Sequence, residues 1–182
     1  MRVASIVAAL GIGWATATAA TAPAILAQAH VVDGDTLSVD MRLQGIDAFE
    51  RSQACQDQAG RCFACGDAAR SYMKHLLLAE GGAKGRQVVE IRIVDATSYG
   101  RPIITATSGG TDIGLLMISA GLALPEIQYL RGDPARTAAY SAAYAQALAA
   151  KRGGLKGSWL APSAWRHGKR LSCEAAARGR RE

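Results

Sequence analysis

Four cysteines in 182 residues, three of them between positions 55 and 65 and the fourth at Cys173, constrain what this chain can fold into more than any other feature. In a chain this small they point to an oxidising compartment, where disulfides persist. Four cysteines allow three pairings. The preferred one joins Cys55 to Cys65, clipping the loop between them, and Cys62 to Cys173, pinning the C-terminal segment to that loop. Zinc is the sharper alternative. Against it, Cys62-Phe63-Ala64-Cys65 supplies one knuckle only, no second CxxC follows, and His75 and His167 lack the spacing of paired ligands. A thioredoxin-like redox role is weaker still, because no βαβ pattern surrounds the CxxC.

The N-terminus agrees with export. Arg2, an apolar stretch over residues 3–14 and the small-residue run over residues 15–20 predict a signal peptide spanning residues 1–20. Its apolar stretch is too short to span a bilayer, so no membrane anchor is expected after cleavage, and the mature chain is expected to be secreted or periplasmic. A cut after Ala29 also fits the small-x-small rule, but it would remove residues 25–29 from the first strand. Residues 21–168 are then enough for one domain with its own core. The last stretch, residues 169–182, carries Lys169, Arg170, Arg178, Arg180 and Arg181 and is expected to be a solvated, disordered tail. Twenty-one Lys and Arg against fifteen Asp and Glu give a net charge of +6, which favours polyanionic partners.

Between these ends the patterning predicts an α+β plan on a small antiparallel sheet. Residues 25–37 predict a strand bent at Asp33-Gly34-Asp35, and residues 39–46 a further short strand pair. After a polar loop over residues 51–66, Asp67 caps a predicted helix with Ala69, Tyr72, Met73, Leu76 and Leu77 on its apolar face, ended by Gly81-Gly82. Val89, Ile91 and Ile93 alternate as in a half-buried strand, and residues 101–107 form the next. A short helix is predicted over residues 112–120, closed by Gly121. Asp133-Pro134 then opens the longest helix, running to Arg152. No Gly-rich phosphate loop occurs, so nucleotide-fuelled chemistry is unsupported.

The chemistry has to come from acids and arginines. Val32-Asp33-Gly34-Asp35-Thr36, then Arg42 to Glu50, then Tyr99-Gly100-Arg101 place four acids and two arginines in a pattern suited to cutting phosphodiesters. If the strands that carry them pair, Asp35 and Asp47 face one pocket and can hold a hard cation such as calcium. Glu50 is then placed as general base to a water, and Arg42 and Arg101 supply permanently charged donors to the phosphate. Each residue also has a plain structural explanation. A lone Asp-Gly-Asp-Thr is most often a turn, Arg42 and Asp47 could form an ordinary ion pair, and the histidines and the tyrosines at 72, 140 and 144 suit structural positions.

The ordered combination nevertheless resembles the staphylococcal nuclease family, in its exported bacterial form. The resemblance runs over residues 25–166 and is carried by VVDGDT, RLQGIDAFE, SYGR and Ala120-Gly121-Leu122-Ala123. It implies a five-stranded OB-type β-barrel with three helices. It also implies one Ca²⁺ held by Asp35, Asp47 and the Ala48 carbonyl, with Asp33 and Thr36 behind these ligands. Arg42, Glu50 and Arg101 would be catalytic, and Tyr99 and Tyr129 would bind substrate. The implied reaction is hydrolysis of DNA or RNA, single strands preferred, with little sequence specificity and 3′-phosphate ends, by a monomer. Phe49 stands where the family has proline, which predicts a looser backbone at Glu50. Only five residues separate Thr36 from Arg42, a shortened hairpin that bears on the second strand's register. A non-catalytic OB-type nucleic-acid-binding module is the alternative, although such modules typically lose the acids or arginines kept here.

Overall fold

The computed structural model describes residues 25–77 and 89–174. The expected signal peptide, the Gly81-Gly82 helix stop and residues 175–182 of the expected tail lie outside the described residues. In chain order the elements are Ala29–Asp33 (β1), Thr36–Val39 (β2), Arg42–Leu43 (β3), Ile46–Ala48 (β4), Cys55–Gln56 (β5), Cys62–Phe63 (β6) and Cys65–Leu77 (α1). Then come Val89–Ser98 (β7), Arg101–Ser108 (β8), Thr111–Asp112 (β9), Ile113–Ser119 (α2), Ala123–Pro125 (β10), Pro134–Ala149 (α3) and Pro162–Arg166 (α4).

The fold is a mixed α+β arrangement with several small sheets. The largest runs β3-β8-β7, with β9 also paired to β8, while β1-β2, β4-β10 and β5-β6 are separate pairs. No closed barrel forms among the described residues. The single bent strand expected over residues 25–37 is instead the hairpin β1-β2, because Gly34-Asp35 reverses the chain rather than bulging it. The pair expected over residues 39–46 does not form either. β3 runs parallel to β8, with Arg42 opposite Ile103, and β4 runs antiparallel to β10, with Asp47 opposite Leu124. Gly45, at φ 75°, makes the break between β3 and β4.

Helix boundaries follow local chemistry. Asp112 caps α2 by accepting from the Leu115 N–H, and Asp133 caps α3 ahead of Pro134 by accepting from the Arg136 N–H. The Tyr140 hydroxyl also donates to Asp112 at 2.8 Å and Arg136 meets the same carboxylate at 3.2 Å, so one acid ties the two helices. Burial beside this carboxylate pushes the Tyr140 phenol well above its ordinary pKa. α1 starts three residues earlier than expected, at Cys65, and Asp67 lies in its first turn rather than at its cap. The cause is the disulfide Cys55–Cys65, which fixes that end of the helix. The second disulfide is Cys62–Cys173, so all four cysteines are paired as preferred, and no thiol remains for zinc or redox exchange.

The core centres on α2, where Ile113, Met117 and Ile118 are fully buried and meet β8 and the small residues Ala143 and Ala147 of α3. β8, the strand expected over residues 101–107, alternates in burial, with Pro102, Ile104 and Ala106 inward. On β7 the alternation is not covered: Ile91 and Ile93 remain about half exposed, at 47% and 48%. Packing also continues past residue 168, where the sequence placed the end of the domain. Glu174 is buried and accepts from the Trp165 indole N–H at 2.9 Å, and the Arg170 guanidinium lies 4.0 Å over the Trp165 ring.

Phe49 corrects another expectation. Its ring is buried, meets Trp159 edge-on at 6.3 Å and lies so close to Gly154 that a Cβ there would overlap it. Packing thus does the work that a proline ring would do, and the backbone before Glu50 is not loose. Phe49→Ala should lower the unfolding free energy by about 3–5 kcal/mol in denaturant titration. A loss under about 1 kcal/mol would show that the ring anchors nothing.

Candidate active site

Asp47 and Glu50 leave the same short segment, β4 and the turn after it, and the segment is held from several sides. The Glu50 N–H donates to the buried Gln53 side chain at 3.1 Å, and the Glu50 carbonyl accepts from the Gln53 N–H at 2.7 Å. Gln53 in turn donates to the Leu160 carbonyl at 2.8 Å. Gly66, in the first turn of α1, sits directly on the Glu50 carbonyl; any Cβ at that position would occupy the same space. Ala48, the expected carbonyl ligand, lies on β4 opposite Ala123.

Asp47 is almost fully buried, 6% exposed, and both of its oxygens are engaged by Arg166. Nη1 donates to Oδ1 at 2.9 Å and Nη2 to Oδ2 at 3.0 Å, a two-point contact that matches the planar guanidinium to the carboxylate. Nη1 also donates to Glu50 Oε1 at 2.6 Å. Arg42 stands 4.0 Å from Asp47 Oδ1. The hydrogen bond to Asp47, with help from Glu50, holds the Arg166 guanidinium still more firmly protonated than usual. Arg166 is the functional residue that sequence reasoning passed over. It is the last residue over which the motif resemblance runs, but nothing in its local sequence says that α4 delivers it to acids more than a hundred positions earlier.

Two clefts meet at this cluster. One, of about 730 Å³, is lined by Arg42, Arg101, Arg131, Arg166, Tyr99 and Tyr129 together with neutral groups, and has no acid in its wall. His167 and Gln128 also line it and were likewise missed. The other, of about 680 Å³, is mostly apolar, with Leu43, Met73, Ile91, Ile104 and Ile113, and it carries Asp47 and Glu50. Arg42, Arg101 and Arg166 border both. The expected arginines, tyrosines, Asp47 and Glu50 are therefore brought together.

The hairpin acids are not. Asp35 lies in the exposed turn of β1-β2, where it accepts from the Thr36 hydroxyl at 3.0 Å, and Asp33 accepts from the Gly34 N–H at 2.8 Å. These are turn contacts, as the plain explanation of Asp-Gly-Asp-Thr would have it. β2 does not pair with β4, so nothing in the sheet draws Asp35 to Asp47. Carboxylate and carbonyl oxygens are the right donors for calcium. However, no group of three potential metal-ligating side chains converges among the described residues, and both Asp47 oxygens are held by a cation of the chain's own. In this conformation the residues do not fit a bound calcium ion.

Tyr99 shows backbone strain at the cleft edge. It has φ 53°, in the left-handed region, at the β7-β8 turn, and its side chain is 88% exposed. A bulky residue held there costs about 1–2 kcal/mol and gains no packing in return, which suits a side chain kept for a ligand. Tyr99→Gly should therefore leave the protein as stable or raise its stability by up to about 1 kcal/mol in denaturant titration. Lower stability would show that the tyrosine is held there for packing.

No family model matches the chain. The succinoglycan biosynthesis protein ExoI of Rhizobium meliloti (strain 1021) is 29% identical to it over 113 residues, which cover 60% of this chain and 56% of that protein. The chain thus spans a little over half the length of that relative.

Proposed function

We propose that this chain is a nuclease that hydrolyses phosphodiester bonds of DNA and RNA with little sequence specificity, leaving 3′-phosphate ends, as the motif resemblance implies. The observation that carries this reading is the acid-free cleft bordered by four arginines and two exposed tyrosines, opening directly beside Asp47 and Glu50. Such a cleft attracts a phosphate backbone and offers aromatic faces on which unpaired bases can stack, which favours single strands. Arg42 and Arg101 are placed to hold a phosphate and to stabilise the charge that grows on it during reaction. Glu50, on its fixed backbone, would take the proton of an attacking water. Calcium dependence rests on the resemblance alone, since the ligand oxygens are apart in this conformation.

The five-stranded OB-type barrel belongs to the same proposal. Val31, Val32 and Leu37 of the hairpin are exposed, and the apolar cleft reaches Val39 at its end. Closing the hairpin over that cleft would bury these side chains and carry Asp35 toward Asp47. Two disulfides accord with an oxidising compartment, and no helix among the described residues is long and apolar enough to cross a membrane. A monomeric secreted or periplasmic enzyme is the setting we propose.

A non-catalytic nucleic-acid-binding module is the second reading, and Arg166 favours it, because both acids are already engaged by a cation of the chain's own. Purified mature protein incubated with denatured DNA and with RNA should degrade both in calcium and neither in excess chelator. Glu50→Gln and Arg101→Ala should each slow cleavage by about 10²–10⁴-fold with unchanged circular dichroism. Tight binding without cleavage under any divalent metal would establish the binding module instead.

A further inference from the structure

Gln44 directly follows β3 and lines the arginine-bordered cleft. Its side-chain amide meets two partners of opposite kind. Nε2 donates to the Tyr129 carbonyl at 3.0 Å, and Oε1 accepts from Arg136 Nη1 at 3.1 Å. A carbonyl can only accept and a guanidinium can only donate, so the amide satisfies both in this one orientation, whereas a carboxylate would serve the guanidinium alone. We infer that Gln44 is a positioning residue that acts through Tyr129: it fixes the tyrosine at the edge of the cleft as a platform on which an unpaired base stacks. This rests on the nucleic-acid substrate proposed above and requires no metal.

Other bonds already hold the turn that carries Tyr129. At its start the Glu126 N–H donates to the Gly45 carbonyl at 2.8 Å. Past its end the Thr137 hydroxyl donates to the Leu130 carbonyl at 3.2 Å, and the Leu130 side chain packs against Gly45. The Gln44 bond is made at Tyr129 itself, which is 64% exposed and so takes no direction from the core. The far end of the contact is anchored. The Arg136 side chain is only 19% exposed and stands 3.2 Å from Asp112, the acid that also receives the Tyr140 hydroxyl. On the backbone side the Gln44 N–H donates at 2.9 Å to the Ile104 carbonyl of β8, the strand that begins two residues after Tyr99. Both cleft tyrosines are thus tied to one strand. A base that stacks on a ring already held in place loses less freedom on binding, so more of the contact appears as affinity.

The test is fluorescence anisotropy on the full mature chain, in chelator so that no strand is cut, with a thymidine octamer and with an octamer of abasic sites on the same phosphodiester backbone. The readout is the ratio of the two affinities, because attraction to the phosphates is common to both strands and cancels. Wild type should prefer the thymidine strand at least about tenfold, and Tyr129→Ala should lose at least about fivefold of that preference. Gln44→Leu removes both hydrogen bonds and Gln44→Glu only the one to Tyr129, so each should lose at least about threefold. A merely structural glutamine would lower the melting temperature of its variants and leave the ratio unchanged. An unchanged ratio in the Gln44 variants, or in Tyr129→Ala, would overturn this inference and leave the nuclease reading standing, as would a wild type that binds both strands equally. Binding of neither strand by wild type would overturn both. Should Gln44→Leu fail to fold, the comparison of Gln44→Glu with wild type decides.

Discussion

Asp47 is a carboxylate buried in the middle of the molecule, and burying it requires a cation. Removing one partner of a buried ion pair costs about 3–5 kcal/mol, whereas exposed pairs contribute at most about 1 kcal/mol. With Asp47 buried and Arg166 partly exposed, their contact falls between these limits. The C-terminal segment owes its position to this contact as much as to its disulfide. The Cys62–Cys173 bridge, the Trp165–Glu174 hydrogen bond and the Arg170 stack fix the segment on one side, and Arg166 fixes it to β4 on the other. In return, the segment closes the wall between the two clefts.

That wall divides the chemistry. Acids lie on the apolar side, arginines line the polar side, and the three arginines at the boundary touch both. Phe49, Gln53 and Gly66 hold the acid-bearing backbone by packing and hydrogen bonds rather than by a proline ring. The backbone at the acids is thus held from several sides, whereas the hairpin that carries Asp33 and Asp35 leaves its apolar residues exposed.

Much of this was legible from residues whose effects are local. Asp133-Pro134 announces its helix because an N-cap needs only the three residues that follow it, whereas Asp112, expected as the first residue of its helix, caps it. The sequence left three cysteine pairings open, and the preferred one, which clips the loop and pins the C-terminal segment to it, is the one that forms. Tyr99, Tyr129, Arg42 and Arg101 were named from motif order and do share one cleft. What escaped depends on long-range choices. Alternation cannot tell that β3 will run parallel to β8 while β4, three residues on, pairs with β10. A turn sequence does not say whether its strands will join a larger sheet, so Asp35 was expected near Asp47 and stands apart. Arg166 escaped because its partners are distant in sequence and its neighbours are ordinary for a short helix.

The central claim is that Asp47 can be buried because Arg166 meets it at two points, and that this pair ties the C-terminal segment to β4. The nitrogen-15 shift of the Arg166 Nε, compared by NMR between wild type and Asp47→Asn, tests this most directly. A carboxylate-bound value in wild type that moves to a free value in Asp47→Asn is the predicted result. A free value already in wild type would contradict it.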